Sequence, residues 1–255
     1  MEPWRTAIVD ARDGQIRIRG YDVPSLMTGR TFTDTIFLLH QGRLPTPEER
    51  SLLDAILTGV ADHGSGAPSC ATARLAASGN RQSLSAAVAA GILAVGDDHG
   101  GAGLGCMELI AEGLKRKSEG GLSLDEAARQ LVSEARAEGR RLAGFGHRVH
   151  STDPRTAILF DLARRGGLAG DGIAFVEALE RAVSAAVKPM PINIDGALAA
   201  VLHDMGFQPA FGRLVFIIGR VAGLTAEVAE ELSREKPMRI KIPVEYDGES
   251  PRTIE

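Results

Sequence analysis

The chain has 255 residues, enough for one large globular domain or two small ones, and 44% of them are hydrophobic. Its 29 basic and 33 acidic residues give a net charge of -4, which excludes the basic footprint of a nucleic-acid binder. No apolar run approaches the ~18 residues of a membrane span, and the low aromatic content (4%) with many alanines and leucines favours helices over sheets.

Two cysteines, Cys70 and Cys106, form neither a CxxC pair nor a metal-ligand spacing, so a reducing cytoplasm is expected. The stretch from Met1 to Gly14 holds no apolar segment of the secretory kind, so no leader is expected there. Residues 6–9 and 15–19 flank Asp13-Gly14, and their alternation predicts a short β-hairpin. A first helical stretch follows over 23–27. Thr31 or Thr33 can cap the next helix, whose buried side carries Phe37, Leu38 and Leu39. Thr46-Pro47-Glu48-Glu49 combines a cap, a proline at the first helical position and acids in the first turn. Leu52, Leu53, Ile56, Leu57 and Val60 then recur at helical spacing.

His63 ends that segment, and the Gly/Pro/Ser cluster over 64–69 reads as a loop. Helices are predicted over 71–78 and 83–95, the second alanine-rich and therefore expected to be deeply buried. A glycine run over 96–105 contains Asp97, Asp98 and His99 and leads into a helix over 107–117. It lacks the lysine and hydroxyl residue of a phosphate cradle, and no second ligand pair supports a metal reading. A turn is expected over 118–122. Ser123 then opens an amphipathic helix to about residue 138.

Gly144-Phe145-Gly146 precedes His147, a side chain that titrates near physiological pH. Asp153-Pro154 reads as a cap followed by proline at the first helical position. Arg155 then lies in a first turn, where its guanidinium and backbone N–H groups can converge on a carboxylate. Helices are predicted over 154–165 and 173–187. A proline-rich approach carries Asn193-Ile194-Asp195 into a helix running to His203. An apolar run over 214–221 ends in Gly219-Arg220, an arginine that is either paired or ligand-binding. A separate helix is expected over 225–232, then a basic, extended stretch over 234–241.

His99, His147 and Asp195 each lie in a glycine-flanked turn beside a helix start. Two imidazoles and a carboxylate can divide the proton transfers of a carbon acid between them. Each taken singly is more often a structural residue: a turn histidine, or an aspartate capping a helix.

The order and spacing of several short motifs resemble the citrate synthase superfamily over nearly the whole chain. They are Arg19-Gly20-Tyr21-Asp22, residues 39–45, Asp62-His63, His99-Gly100-Gly101-Ala102, residues 144–155, Asn193-Ile194-Asp195, Gly219-Arg220 and residues 245–248. Within it, the chain is most similar to citryl-CoA lyases and the lyase module of ATP-citrate lyase. Asp195 is followed by Gly196-Ala197-Leu198 where synthases usually place an aromatic-Ser-Gly sequence.

The resemblance implies an all-α fold with a short N-terminal β-hairpin. A larger helical domain would be formed from residues 1–104 and 209–255, and a smaller one from 105–208 that contributes to a CoA-thioester cleft. It implies citryl-CoA cleavage to acetyl-CoA and oxaloacetate, with His99, His147 and Asp195 catalytic and His63, Arg155 and Arg220 binding the substrate's carboxylates. No metal and no permanently bound cofactor are implied, because CoA enters within the substrate. The expected partners are a CoA thioester, a di- or tricarboxylate, and copies of the chain itself in a homodimer or larger homo-oligomer. One of Lys236, Arg239 or Lys241 occupies the region from which a synthase arginine reaches a neighbouring active site. The alternatives are a citrate or 2-methylcitrate synthase, and a non-catalytic paralogue that binds CoA thioesters.

Overall fold

The computed structural model describes residues 2–146 and 153–254. Among the described residues it contains eleven helices and one small sheet. Strands β1 (Val9–Arg12), β2 (Gln15–Ile18) and β3 (Tyr21–Asp22) pair antiparallel in that order. The expected hairpin is present and gains a third strand. Asp13 and Gly14 both adopt positive φ, as a two-residue hairpin turn of this hand requires.

Helices α1 (Val23–Gly29), α2 (Phe32–Gln41) and α3 (Pro47–Val60) follow. Thr31 and Thr46 each close a reciprocal capping box, with Asp34 and Glu49 respectively. Then come α4 (Pro68–Gly79), α5 (Leu84–Leu93), α6 (Ala102–Gly120), α7 (Leu124–Ala137), α8 (Pro154–Arg165), α9 (Asp171–Ala186), α10 (Ile194–Asp204) and α11 (Phe211–Arg234).

Four features differ from expectation. Helix α4 begins at Pro68, because proline at the first helical position loses no hydrogen bond. Helix α6 begins at Ala102 and runs to Gly120, absorbing most of the expected turn over 118–122. Helix α5 is not deeply buried: only Ala87 and Gly91 are, while Leu84 and Leu93 face solvent. The two helices expected after residue 214 form the single α11. Gly219 and Gly223 do not break it, because their missing side chains let α11 lie against the end of α3. A Cβ on Gly219 would come within 2.6 Å of Val60 Cγ2, and one on Gly223 would collide with Ala61 O.

The main apolar cluster draws on α2, α3 and α6 through α11. At its centre is α10, buried on almost every side and packed against α6, α8 and α9. A helix apolar all round belongs in such a position. A smaller cluster lies where α4, α5 and the second half of α11 meet.

Candidate active site

Asp195 lies in the first turn of α10. Asn193 caps that helix, its Oδ1 accepting from the backbone N–H of Asp195 (3.0 Å) and Gly196 (3.1 Å). So Asp195 is not the cap, and its carboxyl is left for other work. The segment before the helix is stitched to the Gly144–Gly146 segment. Asn193 N–H donates to Gly144 O (3.0 Å), Gly146 N–H donates to Pro191 O (2.8 Å), and Asn193 Nδ2 donates to Gly146 O (2.9 Å). The contact is close because both sides are glycine: a Cβ on Gly144, at φ +88°, would lie 2.8 Å from Cys106 Sγ and from Gly196 Cα. His147, expected to act beside Asp195, lies outside the described residues.

The Oδ1 of Asp195 is shielded from solvent and accepts no hydrogen bond from the described residues. Burial pushes this carboxyl up to about 6. Arg155 and Arg220 oppose the shift and Asp153 adds to it. Close by, the buried Cys106 thiol is pushed up to about 12 by desolvation and by the Asp195 charge.

His99 stands in the turn before α6. The glycines around it serve packing rather than phosphate binding. A Cβ on Gly100 would collide with the Phe216 ring, and one on Gly103 would approach Gly212 O to 2.6 Å, so α6 and α11 cross backbone to backbone. Ser69 holds the ring: its backbone N–H donates to His99 Nε2 (3.2 Å), and its Oγ lies 2.8 Å from the same nitrogen. That backbone N–H belongs to the first turn of α4, which has no partner within the helix. Arg220 Nη1 donates to Ser69 Oγ (3.1 Å), which leaves the serine hydrogen to point at His99. An Nε2 that accepts two donors carries no proton. The neutral ring therefore carries its proton on Nδ1, where it is a donor.

Arg220 is buried, donates from Nε to Val60 O (3.0 Å), and lies over the Phe216 ring with Cζ 4.6 Å from the centroid. Arg155 sits in the first turn of α8, as expected. The carboxylate it meets is Asp153, which it grips through Nε (3.0 Å) and Nη2 (2.8 Å), while Nη1 donates to Gly59 O (3.0 Å). Asp153 also caps α8 through Arg155 N–H (3.0 Å) and accepts from Ile194 N–H at the start of α10 (3.2 Å). His63 is exposed in the loop between α3 and α4. The structure thus links His99 and Arg220 through Ser69, and sets Asp195 within the fields of Arg155 and Arg220. Ser69 was missed from the sequence; Pro68 just before it was the available signal of a helix start.

Near the end of the described chain, Arg239 is held within its own subunit by the buried Glu231 (2.9 and 2.5 Å) and by Glu235 (3.1 Å). Lys236 and Lys241 have no salt-bridge partner among the described residues.

The family described as "Citrate synthase, C-terminal domain" matches residues 46–241. The citryl-CoA lyase of Hydrogenobacter thermophilus shares 38% identity and superposes with a TM-score of 0.91, covering 99% of this chain and 98% of that one. The ATP citrate lyase of Methanothrix soehngenii, 20% identical, has a TM-score of 0.77 over 97% of this chain and 43% of its own, a likeness of fold. Among curated proteins, the 2-methylcitrate synthase of Shewanella oneidensis is 30% identical over 223 residues, 86% of this chain and 56% of that one. The chain spans about half the length of several such relatives. A helical fold centred on α10, the ordered motifs from Thr46 to Lys241 and this shared profile place the chain in the citrate synthase family.

Proposed function

We propose that the protein is a citryl-CoA lyase, cleaving citryl-CoA reversibly to acetyl-CoA and oxaloacetate. The observation that carries the reading is a carboxyl at the head of the central helix whose Oδ1 is shielded from solvent and accepts no hydrogen bond from the described residues, with its titration pushed up to about 6. It stands in a chain alike over its full length to a citryl-CoA lyase.

In this mechanism His147 takes the proton of the substrate's tertiary hydroxyl. The C–O bond becomes a carbonyl as the neighbouring C–C bond breaks, and the electron pair moves onto the thioester as an enolate. His99 donates from Nδ1 to the enolate oxygen, a donor fixed in advance by Ser69 and Arg220. The protonated Asp195 gives its proton to the acetyl carbon, ending as carboxylate opposite an imidazolium. His63, Arg155 and Arg220 orient the carboxylates.

Residues 105–208 form the smaller unit that closes over the CoA thioester, against a larger unit from 1–104 and 209–255. CoA arrives as part of the substrate, and the chemistry calls for no permanent cofactor. The free, buried Cys70 and Cys106 suit a reducing cytoplasm, and no described helix is long and apolar enough to cross a membrane.

The likeness to 2-methylcitrate synthase supports a second reading, condensation followed by thioester hydrolysis. The two divide on the fate of water: a lyase keeps it from the citryl thioester and a synthase admits it. Added citryl-CoA should yield acetyl-CoA and oxaloacetate, the latter followed by coupling to malate dehydrogenase. Release of free CoA in step with citrate identifies a synthase. Binding of acetyl-CoA with no turnover in either direction identifies a non-catalytic relative.

A further inference from the structure

The segment that brings the chain to α10 has few backbone donors of its own. Pro189 and Pro191 carry no N–H, so Ile192 offers the first amide after Met190. That amide lies three residues ahead of Asp195, and Ile192 is buried. A buried amide needs an acceptor. The bridge between Ile192 and Phe145 does not supply one, because its bonds run from Gly146 N–H to Pro191 O and from Asn193 N–H to Gly144 O. The acceptor comes from another element. Glu180, in the second half of α9, takes the Ile192 N–H on Oε1 at 2.9 Å.

Other acids of α9 meet cations: Glu177 pairs with Arg164, and Asp171 with Lys117. Glu180 enters no salt bridge among the described residues, and its carboxylate serves the Ile192 amide in a charge-assisted bond. Nor does it reach Asp195 through its field, since the charges that bear on that carboxyl are those of Arg155, Asp153 and Arg220. What the bond sets is the position of a strip of backbone. Along one edge the strip is stitched to Gly144–Gly146, the residues just before His147 in the chain. At its far end Asn193 caps the helix that carries Asp195 in its first turn. The crossing has no slack, because a Cβ on Gly196 would collide with Gly144 O.

We infer that Glu180 is a positioning residue for the proton transfers at this site: through the Ile192 amide it fixes the register between the Gly144–Gly146 segment and the first turn of α10. The inference rests on the proposed reading of Asp195 as the proton donor, and it names what aligns that donor. A carboxylate on α9 governs where the Asp195 side chain starts from without adding to the charge around it. Slippage of the strip is passed on to Asp195, because the glycine crossing leaves no side-chain layer to absorb it.

Two full-length variants test it, Glu180→Ala and Glu180→Gln, the glutamine keeping an acceptor oxygen for the Ile192 amide. Turnover is followed in the parent's own reaction, cleavage or condensation. Glu180→Ala should lower kcat about 10–100-fold and leave KM for the thioester within about threefold, since a misplacement near 1 Å costs up to about 10²-fold. Glu180→Gln should restore kcat to within about threefold of the parent. The pH midpoint of the rate should not move in either variant, because the charges around Asp195 are unchanged. Hydrogen exchange of the unliganded protein gives a second reading. With alanine, the peptides holding Gly144–Gly146 and Ile192–Gly196 should lose protection together, while those of α2 and α3 keep theirs. Parental kcat in Glu180→Ala overturns the inference. An equal loss in both variants also overturns it, by putting the effect in the charge, as does loss of protection across the whole chain, which makes Glu180 a residue of stability alone. Unchanged exchange at the two segments overturns it even in a parent that performs neither reaction, a result that separately refutes the proposed function.

Discussion

Replacing Ser69 with alanine tests the bridge between Arg220 and His99. Both Ser69 and Arg220 are buried, so water cannot take over the lost contacts. The substitution removes the hydroxyl's bond to His99 Nε2 (2.8 Å) and the acceptor of Arg220 Nη1 (3.1 Å). A neutral bond contributes about 1 kcal/mol net and one to a charged group about 1.5–3, so Ser69→Ala should cost about 2.5–4 kcal/mol. For a chain of this size that is a fall in Tm of about 5–15 °C. The backbone N–H of residue 69 still donates to Nε2, so the tautomer survives and only its orientation loosens. Turnover of citryl-CoA should drop about tenfold, equivalent to about 1.4 kcal/mol at the transition state, with KM little changed. Thermal unfolding followed by circular dichroism and the malate dehydrogenase-coupled assay read the two effects. A variant melting within about 1 °C of the parent refutes the bridge. One that melts low but turns over normally refutes the part assigned to it in holding His99.

Asp195→Asn removes a carboxyl whose folded value, about 6, lies above its ordinary 3.8. A raised acid destabilises the fold where it must ionise: the cost begins as pH rises past the ordinary value and is complete above the folded one. The variant should gain up to about 3 kcal/mol at pH 8 and nothing at pH 3, measured by urea unfolding, while losing lyase turnover. In the parent, cleavage should fall as pH rises through about 6, because the carboxyl must be protonated to give up its proton. Glu231→Ala removes a buried acid that pairs with the buried Arg74 and with the exposed Arg239, and should cost about 3–5 kcal/mol in the same measurement, more than exchanging any surface acid.

The helical architecture was legible because local chemistry and global packing agreed. Capping boxes at Thr31, Thr46 and Ser123, and prolines at first helical positions, mark starts wherever they fall. Glycine was the misleading residue. In the run over 96–105 and in α11 it reads as loop or breaker, whereas its use here is the close crossing of one helix over another. That contact is with a partner distant in sequence, which no local window contains. The alanine-rich α5 misled in the opposite sense: apolar composition suggested depth, but nothing in the sequence says whether the cover comes from the same chain. Of the site, the residue types and their turns were legible. The Ser69 bridge was not, because it joins the first turn of α4 to a histidine thirty residues on and an arginine 151 residues on. The partner of Arg155 was closer to hand. The carboxylate that it meets is its own helix cap.

One carboxylate, that of Asp153, fastens two helix starts by capping α8 and accepting from Ile194 N–H of α10 while gripping Arg155. The Arg155 guanidinium and the Asp195 carboxyl therefore share a mechanical frame. A displacement of α8 is passed to the head of α10 through a single anchor instead of being absorbed by a soft layer of side chains. Strain introduced at either helix start should be felt as a change of alignment at the other, so the two are best regarded as a single moving part.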